Sequence, residues 1–331
     1  MNLSIKSIRK ANSDEWDKIW QKCNYSTYFH SREWAEIWQT FKKGKIMPKP
    51  KIITFSDGKT ALLPLSYQTE YKGLINLYAS SLEETFGGWI STDELTVEHA
   101  KLLAKFITQK LGGNLVWRFN PYDELVFKAG VNVTTEDETH AIKLEGSVDA
   151  IYKKQSSIAR KARKAAKEGV SIKIASTIEE WQEYYQVYLD SIRRWGRDSS
   201  FAYRWELFEE IFQRNSPNIK LWVACYQNQV ISGALCFYAP THVVYWQGAT
   251  LESHFHLRPV NLVMYEIIKS CCEEGYSWFD FNPSAGLEGV RAFKESFGAK
   301  PLPSHVVIME TGFQKARRQI LALLETARQK R

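Results

Sequence analysis

Tyr245–Gly298 reads YWQGATLESHFHLRPVNLVMYEIIKSCCEEGYSWFDFNPSAGLEGVRAFKESFG. An apolar run ends in a polar loop that carries Pro259, and apolar residues at helical spacing then run to Glu274. A second apolar run ends on Asp280, and a short helical stretch follows with Phe293 and Lys294. Strand, loop, helix, strand, helix in that order places the ends of two strands and the start of a helix at one edge, where open α/β sheets hold ligands.

Elements on either side extend the alternation. Ser31 is a helix cap followed by Trp34, Ile37, Trp38 and Phe41 at core spacing. Lys51–Phe55 and Ala61–Gln68 read as strands joined by Ser56-Asp57-Gly58-Lys59. Thr96–Leu111 is a helix closed by Gly112-Gly113, and Leu115–Phe119 a strand stopped by Asn120-Pro121. Residues 130–146 are polar and read as a boundary, followed by a basic helix over Val148–Glu168. Val170–Ala175 is a strand, and helices follow at Ile178–Trp195 and Arg204–Arg214. A hairpin, Lys220–Tyr226 and Val230–Tyr238, leads to the quoted stretch, and a strand at His305–Met309 comes after it. The expectation is a mixed α/β chain with domains 1–148 and 149–311 and a basic amphipathic helix over 312–331.

The chain has 331 residues and a net charge of +7. Charge concentrates in Lys153–Lys167, with seven Lys/Arg and no acid, and in Phe313–Arg331, with six against one. Two such patches suit a polyanionic partner or an anionic membrane surface; they also suit solvated helix faces. Five cysteines without a Cys-x-x-Cys pair indicate neither a disulfide framework nor a zinc site. His254 and His256 lack the further ligands a metal needs, so no metal is expected. No signal-peptide core or run of 18 apolar residues is present, so the expected compartment is the cytoplasm, with a peripheral membrane contact through the tail. Walker, Gly-x-Ser-x-Gly and His-Glu-x-x-His motifs are absent.

These residues fit an acyl-transfer cleft. Pro259 sits where a helix starts beside an anion, with Arg258 and Asn261 to supply charge and a donor, although Pro259 equally suits a plain helix start. Asp280 either orients or deprotonates an amine, or caps the turn at Asn282-Pro283-Ser284. Lys294 either meets a phosphate or an oxyanion, or is a solvated helix lysine. Arg291, on the same short helix, is a further donor-binding candidate. Tyr245 and Trp246 suit a sugar or peptide acceptor, or a core strand.

Taken together, YFHSREW (Tyr28–Trp34), WRFNP (Trp117–Pro121), RKARKAAKEGVSI (Arg160–Ile172), VYWQGA (Val244–Ala249), LRPVNLVMYEII (Leu257–Ile268), WFDF (Trp278–Phe281) and AFKESFG (Ala292–Gly298) resemble the GNAT acyltransferase superfamily in its tandem-domain Fem branch. The resemblance implies two GNAT-like domains and direct transfer of an aminoacyl group from aminoacyl-tRNA to an amine of a cell-envelope precursor, a peptidoglycan peptide or surface polysaccharide. It implies no tightly bound cofactor. The Phe-Lys pair, here Phe293 and Lys294, is associated with the aminoacyl end of the donor, and Arg163 and Lys164 match the basic segment before the second domain. Trp38 occupies the first-helix position, on the acceptor side, where members using a nucleotide-linked precursor carry a basic residue; Ser199 or Ser200 stands at the second such position. Leu257-Arg258-Pro259-Val260 lacks the Gly-rich loop of acetyl-CoA-using members. An acyl-CoA-dependent N-acyltransferase and a non-catalytic GNAT-fold binding module are the competing expectations.

Overall fold

The computed structural model describes residues 2–70, 75–80, 82–153, 156–194, 202–284 and 286–310. In chain order the elements are β1 (Ile5–Lys10), α1 (Ser13–Lys22), α2 (Arg32–Phe41), β2 (Ile46–Pro48), β3 (Lys51–Phe55), β4 (Thr60–Leu63), β5 (Ser66–Glu70), β6 (Ile75–Ala79), β7 (Phe86–Gly87), α3 (Val97–Lys105), β8 (Asn114–Phe119) and α4 (Glu124–Lys128). They continue with β9 (Glu138–Lys143), α5 (Val148–Tyr152), α6 (Ser156–Lys167), β10 (Ser171–Ile174), α7 (Ile178–Arg194), α8 (Trp205–Gln213), β11 (Ile219–Tyr226), β12 (Gln229–Tyr238), β13 (His242–Thr250), α9 (Pro259–Glu273), β14 (Trp278–Asp280), α10 (Glu288–Glu295), β15 (Lys300–Pro303) and β16 (Val306–Met309). The expected tail helix over 312–331 lies outside the described residues.

Two compact units result. One comprises residues up to Cys23, Phe29–Asp137 and the described residues from Pro303 onward. It holds a small sheet, β1-β3-β4, and a larger one ordered β16-β8-β6-β5-β2, with β7 beside β8. Helix α1 starts on a reciprocal cap between Asn12 and Glu15, and α2 on Ser31, whose Oγ accepts the Trp34 N–H at 3.1 Å. The helix expected over Thr96–Leu111 is helical throughout, but its last turn widens so that the Leu111 N–H reaches Phe106 O. Pro64 splits the strand expected over Ala61–Gln68 into β4 and β5.

The second unit, Asn24–Tyr28 with Glu138–Leu302, is built on one sheet ordered β10-β11-β12-β13-β14-β9-β15. Gln227 and Asn228 turn β11 into β12 with φ of +49° and +64°, the left-handed pair of a two-residue hairpin. Helix α9 is the crossover that makes β13 and β14 parallel. It buries Leu262, Val263, Met264, Ile267, Ile268 and Cys271, while α6 adds Ile158, Ala162 and Ala165 to the same core. The polar stretch read as a boundary contains β9, which pairs antiparallel with β14, so strand residues preceding position 148 belong to this sheet. The basic helix expected over Val148–Glu168 is present as α5 and α6, on either side of residues 154–155.

Helix α7 crosses β12 closely at one point. A Cβ on Gly233 would lie 2.6 Å from Tyr184 Cδ2 and 2.9 Å from the Trp222 carbonyl oxygen. Gly233→Ala should therefore cost about 1–3 kcal/mol through overpacking. Thermal unfolding reads it: an unchanged melting temperature would show that the Tyr184 ring yields freely.

Candidate active site

Strands β13 and β14 pair over only three residues, His242 with Trp278, Val243 with Phe279 and Val244 with Asp280. Beyond that point β13 runs on to Thr250 and β14 stops. On the other side of β13, Cys236 pairs with Tyr245 and Leu235 with Gln247, so Trp246 is the extra residue of a β-bulge. Bulges bend a strand and re-aim its side chains, and they recur beside active sites. Here the bulge borders a cleft of about 760 Å³ between Tyr245–Thr250 of β13, the first turn of α9 at Val260, and Leu287–Val290 with Phe293 around α10.

The aromatic wall is fixed from behind. Trp246 stacks on Tyr203 with ring centroids 5.2 Å apart and leans on Phe237, itself stacked on Tyr28. Tyr245 lies along its own strand because Gly248 has no Cβ; one there would sit 2.0 Å from the Tyr245 hydroxyl oxygen. Burial pushes the Tyr245 phenol up, so it stays protonated. Tyr245 and Trp246 are thus strand residues that also line the cleft.

Asp280 and Lys294 meet at the turn that ends β14. Asn282 there has φ of +63°. Its N–H donates to Asp280 Oδ1 at 2.6 Å, and its carbonyl accepts from Lys294 Nζ. Thr139 of β9 donates to the same Asp280 oxygen at 2.6 Å. Asp280 is fully buried and Lys294 is 2% exposed. The turn-capping geometry read for Asp280 is thus present, and Lys294 is no solvated lysine. Phe293, the residue before it, borders the cleft.

Next to this turn lies His140, also fully buried. Its Nε2 stands 3.5 Å from a Glu295 carboxylate oxygen and 3.8 Å from one of Glu138, and neither ring nitrogen makes a hydrogen bond among the described residues. Arg291, exposed, reaches Glu138 at 3.4 Å. Arg258 is exposed at the start of α9 with φ of +55°, and Asn261 donates its backbone N–H to the Arg258 carbonyl; Val260, between them, is the one bordering the cleft.

Three expected site residues lie elsewhere. Arg163 and Lys164 are exposed on α6, with Lys164 3.4 Å from Glu168. Trp38, in the first unit, is fully buried edge-to-face against Trp34 and Phe41. It is a core residue and offers no face to an acceptor. Ser199 and Ser200 lie outside the described residues.

Sequence reasoning missed Thr139, His140 and Arg194. The first two sit on β9, whose Glu-Thr-His-Ala-Ile-Lys was passed over as polar although its middle is buried. Arg194 ends α7 and borders the cleft; a cation in the last turn of a helix gives no sign in sequence of what it faces.

Residues 152–295 match the family described as Acetyltransferase (GNAT) domain, and this part of the chain is a GNAT-type acyltransferase domain. The chain is similar in structure to FemX, with a TM-score of 0.72 and 13% identity over 95% of this chain and 99% of that one. A tandem GNAT protein from the clavulanic acid biosynthesis pathway matches with a TM-score of 0.51 and 8% identity, over 94% of this chain and 99% of that one. The C-terminal domain of a putative lysylphosphatidylglycerol synthetase from Agrobacterium fabrum gives 0.54 and 14%, over 83% and 87%. At such identities the likeness is one of fold, and the fold is the mixed α/β, GNAT-like one expected from the sequence. No curated protein matches the chain in sequence. Among the described residues no helix is long and apolar enough to cross a membrane.

Proposed function

We propose that this acyltransferase takes its acyl group from an aminoacyl-tRNA and passes it to an amine of a cell-envelope precursor. The observation that carries the reading is the outer face of α6. Arg160, Arg163, Lys164 and Lys167 fall at i, i+3, i+4 and i+7, all exposed, while Ile158, Ala162 and Ala165 face the core. A helix with four exposed cations along one face suits the phosphate backbone of a nucleic acid, which positions without reading sequence. In the reaction the amine nitrogen would bond to the donor carbonyl carbon, the ester C–O bond would break, and the amine's proton would leave as the tRNA hydroxyl takes one up. Lys294 is the buried charge assigned to the developing oxyanion, and Asp280 the carboxylate that orients the turn. The basic tail, Phe313–Arg331, would add a contact with an anionic membrane surface.

Filter binding with a pool of charged tRNA tests the donor. Arg163→Glu with Lys164→Glu should weaken binding about tenfold at about 50 mM salt and flatten the salt dependence. Unchanged, salt-insensitive binding would overturn it. The acetyltransferase description of the matched family favours a second reading, acyl-CoA as donor, and saturable stabilisation by acetyl-CoA with no response to tRNA would select it.

A further inference from the structure

Of the seven large apolar side chains exposed among the described residues, three edge this one cleft: Phe255, Leu287 and Val290, at 47%, 47% and 37%. Single exposed apolar side chains need no explanation, but three gathered around a concave site mark a place where an apolar ligand covers them. Tyr245, Trp246 and Phe293 add aromatic faces to the wall, and Gln247 and Thr250 of β13 add polar ones.

Among the described residues one cation borders this slot. Arg194 arrives from the last turn of α7 and is held rigidly. Its Nη1 donates to the Thr250 carbonyl at 3.2 Å and, at 3.5 Å, to Asp190; its Nη2 donates to Ser191 Oγ at 3.2 Å. Its guanidinium lies 4.8 Å over the Phe255 ring. Ser191, fully buried, also accepts the Thr250 backbone N–H at 3.3 Å, so the same hydroxyl ties the arginine to the end of β13. Asp190 pairs with this arginine at 3.5 Å and with the more exposed Arg193 at 3.8 Å, so its one charge is shared between two cations. The carboxylate bordering the cleft is Glu288, exposed in the first turn of α10. A guanidinium has five donors in a planar fork. Three bonds engage this one, and its Nε–H meets no acceptor among the described residues. A preset fork against an apolar wall is the arrangement that recognises an oxyanion on an apolar body.

We propose that the cleft takes an amphiphilic anion, with its apolar chain in the slot between β13 and α10 and its carboxylate or phosphate on Arg194. The assignment rests on reading this cleft as the acyltransferase's own, and it narrows the substrate to one bearing an apolar body with one anionic group close by.

Calorimetric titration of the full chain with octanoate, octyl phosphate and octanol tests it without any turnover. Both anions should bind at least about tenfold more tightly than octanol, as a charge-assisted bond to a fixed guanidinium requires. Whichever binds more tightly tells carboxylate from phosphate. Arg194→Gln should remove the gap, Arg194→Lys should keep part of it, and Val290→Glu should weaken all three ligands about tenfold or more. Equal binding of octanol and the anions, no binding of any of them, or a preference that survives Arg194→Gln overturns the proposal. Capture of tRNA by α6 is read separately. Its failure with the anion preference intact overturns the donor assignment alone, and the converse overturns this proposal alone.

Discussion

The Lys294→Met enzyme should turn over about 100-fold more slowly than the wild type, measured with whichever donor the wild type consumes. Removing one preset electrostatic donor from an acyl-transfer site costs about 10²–10³ in rate. Lys294 qualifies because burial of its ammonium is expensive unless it is paired, and here it is placed on the Asn282 carbonyl of the turn that ends β14. Methionine keeps the length and apolar stem and deletes the charge. The structural cost should be about 1 kcal/mol, from a part-buried carbonyl that loses a donor, and it shows as a lower melting temperature. The two effects separate by measurement. If Lys294 only pins the turn, the rate recovers at low temperature, where the variant is fully folded. If its charge acts on the reacting carbonyl, the rate deficit persists where the fold is intact. Wild-type turnover in this variant would remove Lys294 from the chemistry.

Much of this architecture is legible in the sequence, for identifiable reasons. Helix α9 and the strands on either side of it were readable because Pro259 starts the helix, Gly275 follows it, and the apolar period changes at both ends. The hairpin of β11 and β12 was legible from Gln227-Asn228-Gln229 between two apolar runs. Strand β9 was not, because Thr139 and His140 are polar residues buried by their neighbours across the sheet, and only pairing with β14 shows it. Six elements of the first unit, β1, α1, β2, β6, β7 and α4, likewise have no counterpart in the sequence reading. Strand β1 has a burial pattern with almost no inward face, so it carries no alternation to detect. At the site, residue types identified Asp280, Lys294 and the aromatic pair, but not their relation. That Asp280 and Lys294 hold opposite ends of one residue, Asn282, follows from its left-handed φ, which no local pattern announces. Trp38 shows the opposite failure. Placed on the acceptor side by the resemblance alone, it is one member of the Trp34, Ile37, Trp38 core stripe that helical spacing indicates.

Asp123→Asn should stabilise the protein at pH 8 by up to about 4 kcal/mol and do little at pH 4. Asp123 caps α4 by accepting the Leu125 N–H at 3.0 Å and is only 6% exposed. Burial raises its carboxyl from the ordinary aspartate range to about 7; the Leu125 N–H opposes this and the nearby Glu124 charge adds to it. Between the unfolded value near 4 and the folded value near 7, the unfolded chain has released this proton and the folded chain still holds it. The folded state therefore binds more protons across that window, and its stability falls with rising pH by about 1.4 kcal/mol per unit. Above pH 7 the loss is complete and the wild type carries a buried, charged carboxylate. Asparagine keeps the capping oxygen, being as good an N-cap as aspartate, and has no charge to desolvate. Urea unfolding of both proteins from pH 4 to pH 8 decides it. Two curves that separate steadily from about pH 4 and run parallel above pH 7 establish the buried acid. Parallel curves throughout would mean that water reaches the Asp123 carboxylate, and that the end of β8 is more open than its burial implies.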